Sequence, residues 1–158
     1  MIIIGCDHSG YELKNNIIKN LSKNNIQIFD VCKNKDIDNL DDYPDIAKLI
    51  SNEVLKDKNN FGIAICGTGI GMQIYSNKVK GIRAAVINNV ELAKLSRQHN
   101  DLNIMCLGAR QDYTKDISLV LEIIDIFINT KFEGGRHINR LKKINNIEEN
   151  NGNIVWQL

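Results

Sequence analysis

The 158-residue chain has one proline, one tryptophan, three histidines and four cysteines, and these scarcities exclude several classes of protein. No apolar run approaches the ~18 residues that a membrane span requires, so we expect no membrane segment. The net charge of +1 gives no sign of a nucleic-acid or membrane partner, and any anion site has to be local. Neither a C-x-x-C pair nor a zinc spacing is present, which predicts no metal site. Without a visible signal peptide, we expect a reducing, cytoplasmic setting and no disulfides.

The remaining composition is that of an ordinary globular protein, with 43% hydrophobic and 25% charged residues. The length suits one domain that buries most of its unfolded surface. The sequence becomes strongly polar towards its end. We therefore predict one domain over residues 1–147 and a poorly ordered tail over residues 148–158.

Apolar runs of strand length alternate with segments of helical period. The predicted strands are 2–6, 26–31, 63–66, 82–87 and 103–107. This alternation implies parallel β-α units, and so a doubly wound, Rossmann-like sheet of five parallel strands in a three-layer α/β/α sandwich. Sites in such sheets lie at the carboxyl ends of strands. The polar turns after the first and third strands are therefore expected to form a site.

The most informative stretch is residues 63–71, where an apolar strand runs into a glycine turn and a helix start. Backbone N–H groups converge in such a turn, and the helix dipole favours an anion there. Cys66 stands at its entrance, where the thiolate form is stabilised. We predict that the loop holds a developing oxyanion while Cys66 moves a proton. The alternatives are a turn that serves packing and a thiol that is only a small buried hydrophobe.

The glycine turn does not match the common nucleotide and phosphate loops. No Gly-Lys-Ser/Thr follows it, which excludes a Walker loop, and G-x-G-x-G is not the dinucleotide fingerprint. A cysteine-phosphatase loop would need a closing arginine near the position of Met72.

Several polar side chains elsewhere suit acid–base chemistry and phosphate binding. His99 lies in a polar stretch at a predicted helix end, where it can exchange protons near neutral pH. Arg136 and Arg140 are spaced i, i+4 and share one helix face, as a phosphate clamp or as a solvated basic face. Arg110, after a small-residue turn, is a third candidate. Together these groups suit proton abstraction next to the carbonyl of a small phosphorylated substrate.

Six segments resemble motifs of the ribose-5-phosphate isomerase type B family. The likeness runs from residue 2 to about residue 144, in the order and spacing of the family. The matching segments are 5–14, 42–44, 66–71, 96–101, 107–110 and 132–137.

The resemblance implies an aldose–ketose isomerase of the non-oxidative pentose phosphate pathway. It would interconvert ribose 5-phosphate and ribulose 5-phosphate through a cis-enediolate, without metal or cofactor. By this likeness Cys66 would take the C2 proton and return it to C1. Thr68 and the loop glycines would stabilise the enediolate oxygen; these are Gly67, Gly69 and Gly71.

The same resemblance assigns the other site residues. His99 would help to open the furanose ring, with Asp7 or Tyr43 assisting. Asn100 would touch sugar hydroxyls, and Tyr43 and the loop glycines would also contact substrate. The residues expected to bind the phosphate are His8, Arg110, Arg136 and Arg140.

Family members also suggest an assembly and competing substrates. The family is built on dimers whose sites take residues from both subunits, often paired into tetramers, so a homodimer or a tetramer is implied. One branch has glutamate in place of Met72, and the presence of Cys66 places this chain in the other. Because His99 suits a furanose, we favour the pentose. A hexose-6-phosphate isomerase, acting on allose or galactose 6-phosphate, and a non-catalytic sugar-phosphate-binding homologue are the alternatives.

Overall fold

The structure, a computed structural model, describes residues 1–24, 26–33 and 42–150. The strands among these residues are β1 (Ile2–Cys6), β2 (Ile28–Asp30), β3 (Phe61–Cys66), β4 (Ala84–Val86) and β5 (Ile104–Gly108). The α-helices are α1 (Tyr11–Leu21), α2 (Tyr43–Val54), α3 (Ile70–Ser76), α4 (Val90–Asn100), α5 (Ile117–Asn129) and α6 (Arg136–Asn150). Short 3₁₀ turns lie at His8–Gly10, Ser22–Asn24 and Asp112–Lys115. Over the described ranges, no helix is both long and apolar enough to cross a bilayer.

The five strands form one parallel sheet in the order β2-β1-β3-β5-β4. This confirms the predicted doubly wound α/β fold. From β1 the chain passes to β2 on one side of the sheet, and from β3 it passes to β4 and β5 on the other side. The direction in which strands are added therefore reverses between β1 and β3. In such sheets the crevice at this switch point is the usual ligand site.

Two apolar layers cover the two faces of the sheet. On one face α1, α4 and α5 bury Ile17, Ala93, Ile124 and Phe127 against the strands. On the other face α2 and α3 bury a second set, including Ile46, Ile50 and Met72. The strands β1 and β5 are buried along their full length, which explains their uninterrupted apolar runs. All four cysteines, each within the described residues, are buried as thiols and are not paired in disulfides.

Element boundaries differ from the predictions at several points. β2 and β4 are each three residues long, shorter than the predicted runs 26–31 and 82–87. The apolar spacing of residues 112–130 is that of one long helix, but the structure divides it. Asp116 accepts hydrogen bonds from the backbone N–H groups of Ser118 and Leu119 and starts α5 there. Helix α6 continues to Asn150, so the first three residues of the predicted tail are helical. Residues 151–158 of that tail lie outside the described residues.

The outer edge of β4 is closed by side chains of the α3 region rather than by another strand. The side-chain amide of Asn77 accepts from the N–H of Ala84 at 2.9 Å and donates to its carbonyl at 2.8 Å. Gln73 Oε1 accepts from the N–H of Val86 at 2.7 Å. These three bonds satisfy backbone groups that an edge strand otherwise leaves open.

Candidate active site

Three strand ends are joined by backbone hydrogen bonds at the carboxyl edge of the sheet. The N–H of Asp7, after β1, donates to the carbonyl of Ile65 at 3.2 Å. After β5, the N–H of Ala109 donates to the carbonyl of Cys66 at 2.8 Å, and that of Arg110 donates to Gly67 at 3.0 Å. The turns that carry Asp7, Cys66 and Arg110 are thereby held as one unit, as their positions at strand ends predict.

Cys66 lies in the mouth of the glycine loop. It ends β3, is 5% exposed, and its Sγ accepts from the N–H of Gly69 at 3.2 Å. Gly69 has φ +80°, which a residue with a Cβ adopts only under strain. This left-handed turn starts α3 and sends the backbone N–H back towards the sulfur. Thr68 is exposed beside it, and its Oγ1 accepts from the N–H of Ile70 at 3.3 Å.

Two side chains from other elements cover the loop. A Cβ built on Gly71 would lie 2.7 Å from Cε2 of Tyr43, so the tyrosine ring rests directly on that glycine. A Cβ on Gly67 would lie 3.4 Å from Nε of Arg110. An aromatic ring and a guanidinium therefore flank the N–H groups of the turn. That pairing suits a sugar that carries a phosphate.

Asp7 and His8 lie beside the glycine loop. Asp7 is 6% exposed and starts the 3₁₀ turn, where its Oδ1 accepts from the backbone N–H of Ser9 at 2.9 Å and from its hydroxyl at 2.6 Å. Both bonds end on the same oxygen and fix the carboxylate. His8, the next residue, is exposed to solvent. The pair thus offers one rigid acid group and one accessible imidazole.

The remaining predicted residues form a second cluster where α4 ends and α6 begins. The rings of His99 and His137 stack with centroids 4.4 Å apart and planes 8° apart. Oε2 of Glu133 lies 3.9 Å from Nε2 of each histidine. Nη1 of Arg140 lies 3.3 Å from Nδ1 of His137. Asn100 is exposed at the end of α4 beside this cluster.

The surroundings of His137 disfavour its charged form. Its side chain is buried, and burial is the main cause that lowers the pKa of His137 below its ordinary value. The nearby His99, Arg136 and Arg140 lower it further, while Glu133 acts in the opposite direction. Since the guanidinium of Arg140 can only donate, Nδ1 of His137 is the acceptor and the ring proton is on Nε2.

His99, His137 and Glu133 bring three possible metal ligands within 4.8 Å of one another. A metal lies in the plane of an imidazole ring, along the lone pair of its nitrogen. Two rings in stacked, nearly parallel planes cannot point both lone pairs at one ion. The cluster is therefore poorly arranged to hold a metal, and the expectation of a metal-free site stays a prediction.

The two clusters lie at opposite edges of the sheet within one chain. The N–H of Gly62 donates to the carbonyl of Asn103 at 2.8 Å, so the end of α4 lies near the start of β3. Cys66 ends the same strand, about 13 Å away at the rise of a β-strand. Asp7, His8, Tyr43, the Cys66 loop and Arg110 therefore form one cluster. His99, Asn100, Arg136 and Arg140 belong to the other.

The sequence reasoning missed two groups that fix the second cluster. Arg97 is 8% exposed and donates to Oδ1 of Asp101 at 2.8 Å and to the carbonyl of Leu102. Its guanidinium also lies over the ring of Phe61 at 4.9 Å. Asp101 has φ +47°, and the pair fixes the turn after His99. The i, i+4 spacing of Arg97 and Asp101 was the available signal. The second group is Glu133, which no sequence signal indicated apart from the motif that contains it.

Comparison with known proteins agrees with this geometry. The model of the family described as Ribose/Galactose Isomerase matches residues 2–144. A probable ribose-5-phosphate isomerase B of Mycoplasma pneumoniae is 42% identical over 90% of this chain and 91% of its own. Ribose-5-phosphate isomerase B of Escherichia coli is 38% identical over 94% and 96%.

The solved structures lead to the same group of proteins. The crystal structure of ribose-5-phosphate isomerase B from Mycoplasma genitalium, with bound ribulose-5-phosphate, superposes with a TM-score of 0.85. It is 39% identical and covers 94% of this chain and 96% of that one. The chain therefore belongs to the ribose/galactose isomerase family.

Proposed function

We propose that this chain is an aldose–ketose isomerase that interconverts ribose 5-phosphate and ribulose 5-phosphate. The observation that carries the proposal is the Cys66 thiol at a strand end, held 3.2 Å from a loop N–H by the turn that starts α3. This is the arrangement required by a base that works beside an oxyanion. The relatives named ribose-5-phosphate isomerase B, and the ribulose-5-phosphate bound in the Mycoplasma genitalium structure, support the choice of substrate.

The isomerisation follows from the position of the base. In the open-chain aldose, Cys66 removes the proton from C2, and the electrons of that C–H bond form the C1=C2 double bond. The carbonyl oxygen becomes an enediolate oxygen, which the N–H groups of the Cys66–Gly71 loop and Thr68 stabilise. Removing one such donor typically costs about 2.7–4 kcal/mol of transition-state stabilisation. The C1=C2 electrons take the proton back from Cys66 at C1, and the O–H electrons of the C2 hydroxyl form the C2=O bond of the ketone. The proton of that hydroxyl passes to O1, which becomes the C1 hydroxyl.

The separation of the Cys66 cluster from the His99 cluster supports a homodimer in which two chains complete each site. Each cluster is then one half-site. A small sugar phosphate cannot contact Cys66 and His99 of one chain across the sheet. A two-fold axis places the Cys66 half-site of one subunit against the His99 half-site of its partner. Beside His99 and Asn100 lies a groove of about 550 Å³ that offers an apolar surface to that partner. Its aliphatic lining includes Leu92, Leu95, Leu141 and Ile144.

A mixing experiment tests the shared site. Cys66→Ala and His99→Asn are each expected to be nearly inactive alone. In a mixed dimer, one site combines the intact Cys66 of one subunit with the intact His99 of the other. After the two proteins are unfolded and refolded together, random pairing should restore about one quarter of wild-type turnover. If the refolded mixture stays as inactive as its components, both residues act within the same subunit.

The substrate is tested by steady-state kinetics with EDTA present. We expect kcat/KM for ribose 5-phosphate to exceed that for allose 6-phosphate and galactose 6-phosphate. A preference for either hexose would identify a hexose-6-phosphate isomerase instead. Binding of all three without turnover would identify a non-catalytic sugar-phosphate-binding protein.

A further inference from the structure

Glu133 occupies a position that the proposed reaction has not used. Its Oε2 is equally distant, at 3.9 Å, from Nε2 of His99 and Nε2 of His137, while its side chain is half exposed. We propose that Glu133 is a positioning residue that orients His99 for opening the furanose ring. This inference rests on the proposed function and assigns no contact between Glu133 and substrate.

The Glu133 carboxylate acts on both rings through its charge, because 3.9 Å is longer than a direct hydrogen bond. Arg140 donates to Nδ1 of His137, so when that ring is neutral its proton is on Nε2, which faces Glu133. His99 faces the same oxygen with its own Nε2. A negative charge on that side favours the tautomer of His99 with its proton on Nε2, which leaves the lone pair on Nδ1. In other acid–base sites, too, a nearby carboxylate sets the orientation and tautomer of an imidazole.

The backbone fixes Glu133 relative to His99. The N–H of Glu133 donates to the carbonyl of Gln98 at 3.1 Å, directly before His99. Gly134 and Gly135 follow with φ +69° and +53°, a reversal that starts α6 and brings His137 back under the His99 ring. The backbone of Glu133 is thus bonded to the helix that carries His99, which keeps its side chain near the two imidazoles.

Ring opening needs a base at the anomeric hydroxyl. His99 Nδ1 takes the proton of O1, and the O–H electrons form the C1=O double bond. The C1–O4 bond breaks, its electrons go to O4, and O4 takes a proton from water or from Tyr43. Glu133 does not exchange a proton in this step. It holds His99 in the orientation and tautomer that leave Nδ1 free.

The test compares substrates that do and do not have a ring. Ribose 5-phosphate is a furanose, whereas erythrose 4-phosphate is open-chain, because its phosphate blocks the oxygen that would close the ring. We expect Glu133→Ala to lower kcat on ribose 5-phosphate by about tenfold to a hundredfold, within the range of one acid–base group. KM, and kcat on erythrose 4-phosphate, should stay within about twofold. Glu133→Gln keeps an acceptor oxygen and should recover part of the loss.

Two further measurements keep the outcome clear. Glu122→Gln, an exposed carboxylate on α5, is the matched control and should retain wild-type kinetics. Deuterium incorporation from solvent at C1 of ribulose 5-phosphate, which is also open-chain, gives a second reading that does not involve the ring. Equal losses on ring and open-chain substrates, or no loss on ribose 5-phosphate, would overturn the proposal. A wild-type protein inactive on ribose 5-phosphate would instead refute the proposed function.

Discussion

A single added methyl group at Gly71 should lower activity without lowering the stability of the fold. Gly71 is the second residue of α3, and the ring of Tyr43 lies over it. In Gly71→Ala the new Cβ would be 2.7 Å from Cε2 and 2.8 Å from Cζ of that ring. The backbone is helical here, so alanine introduces no strained φ. The tyrosine has to move.

The size of the effect follows from these distances. Carbon atoms pack at about 3.5–4.0 Å, so the ring has to shift by roughly 1 Å. Tyr43 is 40% exposed and can swing outward at little cost. Alanine also stabilises a helix by up to about 1 kcal/mol relative to glycine. The free energy of unfolding should therefore stay level or rise. Since a 1 Å misplacement at an active site can cost about a hundredfold, we expect kcat/KM to fall by about tenfold to a hundredfold.

A double-mutant cycle with Tyr43→Ala isolates the cause. If the methyl group acts through the ring, Gly71→Ala should have almost no further effect on kcat/KM once the ring is absent. Urea unfolding of all four proteins, at one protein concentration, provides the stability comparison. The reasoning is refuted if Gly71→Ala retains wild-type kcat/KM, if it loses activity equally in both backgrounds, or if it is strongly destabilised.

Three other predictions concern the thiols and the turn after α4. Cys66→Ala should retain affinity for ribose 5-phosphate by calorimetry while turnover falls at least about a hundredfold, and unchanged turnover would exclude Cys66 as the base. Iodoacetamide near neutral pH should modify Cys66 before Cys6 and Cys106. Burial raises the pKa of the Cys6 thiol to about 12 and raises that of Cys106 further, so both stay protonated and unreactive. Peptide mass spectrometry would show the order of modification. Arg97→Met should lower the free energy of unfolding by about 2–4 kcal/mol, because two hydrogen bonds of a buried guanidinium are lost. Arg83, which is partly exposed and also pairs with Asp101, is the comparison, and Arg83→Met should lower the free energy of unfolding by less. Equal urea midpoints for the two arginine variants would contradict that account.

The sequence was most informative where one physical pattern determined the structure. Runs such as 2–6 and 63–66 are apolar without interruption, which only a strand covered on both faces explains. The buried faces of helices were predicted less accurately. Apolar spacing alone would put Leu49 and Leu55 on the buried face of α2 and Ile74 on that of α3, yet these side chains are 37%, 46% and 55% exposed. In a chain rich in isoleucine and leucine, periodicity alone marks too wide a face.

The relative positions of the candidate site residues were only partly predictable. The strand-end rule correctly placed Asp7 beside the Cys66 loop, because both follow parallel strands. His99 lies in the last turn of α4, and no local pattern shows that this helix ends near the amino ends of the strands, away from Cys66. Glu133 was missed for a related reason: its proximity to His99 depends on a bond to the carbonyl of Gln98, and a backbone acceptor leaves no mark in the sequence.

The closed edge of β4 limits how copies of this chain can associate. An uncovered edge strand is a template on which another chain can add a strand, and repeated addition produces open-ended polymers. Gln73 and Asn77 occupy those hydrogen-bonding positions with side chains, which cannot be extended by a further strand. Contacts on this side of the molecule are therefore left to side-chain surfaces, whose fixed shape favours a finite assembly over a growing fibre. Two amides, one on a short helix and one at its C-cap, thus keep the β4 edge of this sheet from pairing with a strand of another copy.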